Sequence, residues 1–265
     1  MRIAIVGLGL IGGSLALALR ERRPAWERVG ADADPEVQGR ALRAGLIVPG
    51  DVHQADLVVL AAPIPELPAL FRAFAGHPGT VTDVASTKAT VLHWAHEAGL
   101  DLVGGHPMAG RERAGLENAT ADLFAGAPWA LMRDDAKVRE LTTAVGAHPL
   151  LLSPERHDEL VAGVSHAAFA VSAAYVLALA ERAGWPEMAS LAGPGFADLS
   201  RLAGGDPRLH TAIAATNRVA LLRVLDDVGR SLRQVRAAVA GDRDLGALLE
   251  QAKAARDGWA RERPV

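Results

Sequence analysis

The sequence predicts an α/β N-terminal domain with a mostly parallel sheet, followed by an all-α C-terminal domain. Three observations carry that expectation. Short apolar runs alternate with amphipathic stretches over the first half of the chain, as strands joined by crossover helices do. A glycine-rich turn separates the first run from the first stretch. After Pro154 the alternation stops, and long Ala- and Leu-rich stretches bounded by Gly or Pro take over. The domains are accordingly drawn as 1–152 and 153–265.

In order, Arg2–Val6 reads as a strand, Ile11–Arg20 as a helix and Arg28–Asp32 as a second strand. Pro35–Ala44 is a helix opened by proline and stopped by Gly45. Asp56–Ala62 is a continuous apolar run, as a strand covered on both faces requires. Pro65–Ala75 follows as a helix, Thr80–Val84 as a strand, Ala89–Ala98 as a helix and Leu100–Val103 as a strand. Trp129–Met132 and Leu150–Leu152 read as late strands finishing the sheet. Beyond them, Glu155–Ala183, Pro186–Ala203, Pro207–Val239 and Asp242–Ala260 read as helices. These helices are apolar around much of their circumference, more than a small monomeric domain hides. A homodimer joined through the C-terminal domain follows as an expectation.

Net charge is −3 with 22% charged residues, so the chain supplies no basic surface overall of the kind a nucleic acid would want. The chain has no cysteine, which excludes disulfides, cysteine nucleophiles and thiolate metal sites and favours a reducing compartment. The apolar run Ile3–Leu19 superficially resembles a signal peptide, but Gly7, Gly9, Gly12 and Gly13 would break such a helix. The expected location is the cytoplasm, without membrane association.

Gly7-Leu8-Gly9-Leu10-Ile11-Gly12 is G-x-G-x-x-G between a strand and a helix. The first glycine permits a tight turn, the second lets a pyrophosphate approach the backbone, and the third lets helix and strand pack closely. Leu10 and Ile11 open the helix whose free N–H groups face the phosphates. Asp32 ends the next strand, where a carboxylate accepts from ribose hydroxyls and repels a 2′-phosphate. Ala33 rather than an arginine follows it. A Rossmann-type domain binding NAD, not NADP, is expected.

Three further segments hold polar residues for which a packed fold has little use. In Thr82-Asp83-Val84-Ala85-Ser86-Thr87-Lys88, at a strand's carboxyl end, Ser86 points where ligands bind. Ser86 or Thr87 also suits the N-cap of the helix that follows. In Gly104-Gly105-His106-Pro107-Met108-Ala109-Gly110, His106 sits on what reads as a stiff loop, as a base for a hydroxyl proton or as a backbone-bonded loop histidine. In the helical domain, His157, Ser165 and Phe169 fall within about 120° of one another on a regular helix. Arg201 offers a planar fork for a carboxylate, or a surface ion pair.

Together these segments resemble the prephenate dehydrogenase family. GHPMAGRERAGLENATADLF resembles its H-P-M-A-G signature, TDVASTK its D-x-x-S-x-K loop, SHAAFAVSAAYVL its S-H-L-P-H helix, and GPGFADLSRLAGGDPRLH its G-G-F-x-D-x-x-R-x-A-x-x-D-P-x-x-W stretch. The resemblance runs in order over nearly the whole chain. It implies NAD-dependent oxidative decarboxylation of prephenate or of its amino analogue arogenate, without a metal. His106 would receive the proton of the 4-hydroxyl and Ser86 would orient it. Arg201 would bind a substrate carboxylate, with His157, Ser165 and His210 lining the same pocket. Two positions depart from the pattern. Phe169 replaces the second histidine of S-H-L-P-H, and His210 replaces the expected tryptophan. Both bear on the choice between the two substrates. The length given leaves no room for the regulatory or chorismate mutase domains of some relatives, so tyrosine inhibition would act at the active site.

His93 and His96, three apart on a helix, read as a solvated face rather than a metal site. Hydroxyacid dehydrogenases and imine reductases also join a Rossmann domain to helices, but they use a catalytic lysine on the second domain, where Lys253 near the C-terminus stands alone. A non-catalytic NAD-binding module is the remaining alternative.

Overall fold

The computed structural model describes residues 1–111 and 113–262. Glu112, inside the H-P-M-A-G stretch quoted above, lies outside them. Five parallel strands form the first sheet, in the order β2-β1-β3-β4-β5. They are β1 Arg2–Val6, β2 Glu27–Ala31, β3 Leu57–Leu60, β4 Thr80–Asp83 and β5 Leu102–Val103. Between them run α1 Leu10–Arg22, α2 Pro35–Arg43, α3 Leu67–Ala73 and α4 Ala89–Glu97. Alternate residues of β1 face opposite cores. Ile3 and Ile5 pack with Leu15, Leu19, Leu57 and Trp129, and Ala4 and Val6 with Leu60, Leu67, Phe71 and Val91. Both faces are covered, so β3 is buried along its whole length.

The late strands do not finish this sheet. β6 Gly105–Pro107, β7 Pro128–Leu131 and β8 His148–Leu151 make a second, three-stranded sheet. β6 runs antiparallel to β7, and β7 parallel to β8; α5 Ala136–Ala144 joins β7 to β8. His106 therefore lies on a strand, paired with Ala130, not on a loop. The cause is the Gly104-Gly105 pair. A Cβ on Gly105 would lie 2.7 Å from the Asp83 carbonyl oxygen, and the Gly105 N–H is taken by the Asp83 carboxylate at 3.0 Å instead of a neighbouring strand. The ladder stops there and the chain starts a new one.

In the helical domain, Ser153 caps α6 Pro154–Val161 by accepting the Arg156 N–H. A π turn, Ala162–His166, leads without a break into α7 Ala167–Ala180. α8 Trp185–Ser190 and α9 Pro194–Ser200 replace one expected helix, because Pro194 starts a new one at its first position. A 3₁₀ turn, Arg201–Gly204, precedes α10 Pro207–Thr216. α11 Arg218–Val239 follows after a break at Asn217, and α12 Leu245–Glu262 ends the described chain. Ile213 of α10 joins the second core of the first domain and docks the two domains.

Residues Pro154–Ala180 are long and apolar enough to cross a membrane by length and composition alone, and 28% of their most apolar window is buried within the chain. Some of their polar residues face protein, with His157, Asp158 and His166 buried, while Glu155, Arg156, Glu159 and Ser165 are exposed. The exposed apolar side chains continue across the domain in Val164, Leu177, Val219, Leu222, Leu232 and Val239. Uncovered apolar surface of this kind is characteristic of interaction sites.

Candidate active site

The first glycines do three different jobs. Gly7 has φ +94°, and a Cβ there would sit 2.5 Å from the Ala61 carbonyl oxygen just past β3. On Gly12 a Cβ would strike the Gly7 carbonyl oxygen at 1.9 Å, so strand and helix meet there. On Gly9 it would meet nothing within 4 Å. That open space lies at the N-terminus of α1, which Gly9 caps without a side-chain bond and whose first turn holds no acidic residue. Its N–H groups are free for a phosphate. Asp32 follows β2 and accepts from the Leu8 N–H at 2.6 Å and the Asp34 N–H at 2.9 Å. The cradle suits an anionic dinucleotide at the point where the strand order reverses between β1 and β3.

Beyond the carboxyl ends of β4 and β5, three side chains form a chain of hydrogen bonds. His106 Nδ1 lies 2.8 Å from His157 Nε2, and His157 Nδ1 lies 2.8 Å from Asp158 Oδ1. Asp158 Oδ1 and Oδ2 also accept the backbone N–H groups of Lys88 and Ala89, at 2.8 and 2.9 Å. A carboxylate accepts only, so His157 carries its proton on Nδ1 and accepts at Nε2. His106 then donates from Nδ1, which leaves its Nε2 lone pair as a proton acceptor. Burial pushes the His106 pKa well below 6.5, and the nearby His157, Lys88 and His166 add to that. The ring is neutral near pH 7, as a base must be.

Beneath His106 lies a buried ion pair. The Lys88 ammonium bonds the Asp83 carboxylate and donates to the Gly105 carbonyl at 2.7 Å. Asp83 also accepts the Ala85 and Gly105 N–H groups at 2.9 and 3.0 Å. Burial lowers the Lys88 pKa, while Asp83 and Asp158 work against that fall. The pair fixes the start of β6 and with it the direction of His106.

The placements of the expected residues differ. Ser86 follows β4 as predicted and is partly exposed, with its backbone close to the His166 ring. Neither Ser86 nor Thr87 caps α4; Asp158 does so from the other domain. Thr87 instead meets Thr216 at 2.9 Å. His157 was expected on the pocket wall, but it is 1% exposed and stands behind His106. Ser165 and His166 fall in the π turn, where the extra residue per turn shifts every later position by about 100° from a regular helix. Ser165 is exposed while His166 is buried, and the shared helix face expected for His157, Ser165 and Phe169 does not hold across that turn.

Phe169 and His210 stack, with centroids 3.4 Å apart and planes within 6°. The two departures from the family pattern thus touch each other. Burial lowers the His210 pKa, and Asp206 opposes it. Arg201 opens the 3₁₀ turn, which Ser172 pins to α7 through the Leu199 carbonyl at 2.7 Å and the Ala203 N–H at 3.0 Å. His93 pairs with Glu97 on an exposed face, and Lys253 with Asp257 on α12.

Asp158, Lys88, His166 and Asn217 were not assigned roles from the sequence. Asp158 is visible there as an acid beside a candidate histidine. Lys88 is visible as the end of the D-x-x-S-x-K loop. Nothing local marks Asn217, whose buried amide bonds the Asp158 carbonyl and lies beside the His166 ring.

Two family models match the chain: "Prephenate dehydrogenase, nucleotide-binding domain" over residues 15–147, and "Prephenate dehydrogenase, dimerization domain" over residues 153–253. A prephenate dehydrogenase of Lactococcus lactis subsp. cremoris is 31% identical over 249 residues, 88% of this chain and 70% of that protein. The crystal structure of Synechocystis arogenate dehydrogenase is similar over 98% of this chain and all of that one, with 32% identity and a TM-score of 0.82. The prephenate dehydrogenase of A. aeolicus, solved with hydroxyphenyl propionate and NAD+, matches over 97% of this chain and 98% of that one, with 28% identity and a TM-score of 0.90.

Proposed function

The chain belongs to the prephenate dehydrogenase family and is an NAD-dependent dehydrogenase, and on that premise we propose that it converts prephenate to 4-hydroxyphenylpyruvate, a step of tyrosine biosynthesis. The observation that carries the reading is the chain His106–His157–Asp158, which leaves His106 Nε2 as a buried proton acceptor.

The cradle of Gly7, Gly9, Gly12 and Asp32 would hold NAD+, which would supply the acceptor for the hydride leaving C4 of the substrate. His106 Nε2 takes the proton of the 4-hydroxyl as the C4–H bond breaks, and His157 with Asp158 keeps the ring in the accepting tautomer. The C1 carboxylate then leaves as CO₂, its bonding electrons restore the aromatic ring, and the C4 oxygen recovers a proton from His106. Ser86 orients the hydroxyl. Arg201 holds a substrate carboxylate in two-point contact, and Ser165 and His210 line the side-chain end of the pocket. Position and charge are what the protein supplies.

Arogenate is the second reading, since the Phe169–His210 stack stands in place of the family's histidine and tryptophan, which bear on the choice between the two substrates. The exposed apolar faces of α7 and α11 support a homodimer through the helical domain. The cysteine-free composition fits a cytoplasmic enzyme.

Purified protein given NAD+ and either prephenate or arogenate tests the reading through NADH formation, with His106→Asn alongside. We expect turnover with at least one substrate, and a loss of about 10²- to 10⁴-fold in the variant. No NADH with either, in protein that binds NAD+, would refute it.

A further inference from the structure

The amino ends of the first sheet carry a cavity at the opposite edge from His106. It holds about 350 Å³, within the range of small-ligand sites, and lies in the seam between that sheet and α5. Thr80 opens β4 beneath it, the turn after α3 forms one side, and the turn after α4 forms the other. Arg133, ahead of α5, and Lys137, within it, close the rim. β4 runs from Thr80 to Asp83, so about 10 Å of strand separates the cavity from the Asp83–Lys88 pair beneath His106.

The hydrogen bonds around this cavity leave side-chain donors unspent and acceptors taken. Lys137 Nζ gives one N–H to the Asp56 carbonyl at 3.0 Å and keeps two. Arg133 holds Asp101 with one N–H from each terminal nitrogen, at 2.5 and 2.9 Å, and keeps three. Both Asp101 oxygens are occupied by that contact. Asp135 is turned to its own helix, with Oδ1 accepting the Lys137 and Val138 N–H groups at 3.0 and 3.1 Å. The backbone is spent as well. Gly79 N–H donates to His77 Nδ1 and Thr80 N–H to the Asp56 carbonyl. Gly99 and Leu100 close the end of α4 by donating to the His96 and Ala95 carbonyls at 3.0 and 2.9 Å.

Asp56, Thr80 and Asp101 stand side by side at the starts of β3, β4 and β5. Lys137 reaches the first and Arg133 the last, so two cations flank the amino end of β4. We propose that this cavity binds a small oxyanion, a carboxylate or a phosphate, between Lys137 and Arg133. Partly used ammonium and guanidinium groups recognise such an ion through charge-assisted bonds, and the planar fork of arginine adds a two-point contact. The site lies outside both the dinucleotide cradle and the His106 chain, so it stands whichever substrate the enzyme prefers.

The probes are inorganic phosphate and succinate, each titrated into NAD+-loaded protein so that the cradle at α1 is already filled. Calorimetry measures the affinity, and ¹⁵N–¹H spectra of the wild type locate the binding. We expect at least one probe to shift the N–H resonances of Gly79, Thr80, Gly99 and Leu100. Its affinity should fall at least about tenfold in Lys137→Gln and in Arg133→Gln. Both side chains reach solvent, so neither replacement disturbs the core. Binding by phosphate alone identifies a phosphate site, and binding by succinate alone a carboxylate site. Undiminished affinity in both variants overturns the proposal. So do shifts confined to the cradle or to the surroundings of His106, or no binding of either probe at about 10 mM.

Discussion

Asp158 of the helical domain accepts the backbone N–H of Lys88 at 2.8 Å and so caps a helix of the nucleotide-binding domain. The same carboxylate oxygen receives His157 Nδ1. One side chain therefore both joins the two domains and sets the tautomer of His106, the proposed base. Thr90 strengthens the seam by donating to the Thr216 carbonyl at 2.9 Å.

Asp158→Asn tests this double role. The amide keeps one accepting oxygen but turns N–H₂ toward either Ala89 N–H or His157 Nδ1, and both positions need an acceptor. We expect kcat to fall by about 10²- to 10⁴-fold, NAD+ affinity to stay near wild type, and stability to fall by about 0.5–2 kcal/mol through the weakened cap. Steady-state kinetics and thermal unfolding measure these, and an undiminished kcat would rule out the hydrogen-bond chain as the base's support.

Gly9→Ala and Gly12→Ala separate binding from folding. The Gly9 Cβ enters open space, so the variant folds but loses at least about tenfold in NAD+ affinity, because the methyl group occupies the pyrophosphate's approach. The Gly12 Cβ strikes the Gly7 carbonyl, so that variant loses stability before any ligand is added. Calorimetric NAD+ titration and thermal unfolding should give this opposite pattern.

Lys88→Met leaves the Asp83 carboxylate buried without its cation. Breaking such a pair costs about 3–5 kcal/mol, to be read from urea unfolding. Any folded fraction should also turn over slowly, since the Gly105 carbonyl loses the bond that orients β6.

Acid should destabilise the fold through its buried histidines. His106 and His166 have folded pKa values below 6.5, with His166 near 4. Their contribution is whole above about pH 6.5, where folded and unfolded rings are both neutral. As pH falls below 6.5 the unfolded chain takes up protons that the folded one refuses, and stability drops by at most about 1.4 kcal/mol per pH unit per histidine. For His166 the loss levels off near pH 4. Thermal unfolding between pH 7 and 4 should show a shallower decline in His166→Gln than in wild type.

Leu222→Glu and Leu232→Glu place charges on the uncovered face of α11, where the native side chains are 54% and 67% exposed. If that face joins two copies, light scattering will show a dimer for wild type and monomers for the double variant. A wild-type monomer would refute the dimer.

The nucleotide half was legible because its signals are local. A strand, a glycine turn, a helix N-terminus and Asp32 all lie within a short span, and their order alone implies the cradle. Period and proline position marked the early strands and helices to within a residue or two at most ends. His106 and Ser86 stood out as polar residues just past strands.

The helical domain was legible as helical and apolar, but its breaks at residues 191–193 and at Asn217 were not. Nor was the second sheet, since the Gly104-Gly105 pair ends one ladder through a contact with Asp83, distant in sequence. Only the tertiary structure decided that Asp158 caps α4, that His157 stands behind His106 rather than on the pocket wall, and that a π turn buries His166. Propensity and periodicity report interactions a few residues apart. A cap supplied from 70 positions away, or a ring whose partner lies 51 positions along the chain, exists only once the two domains have packed.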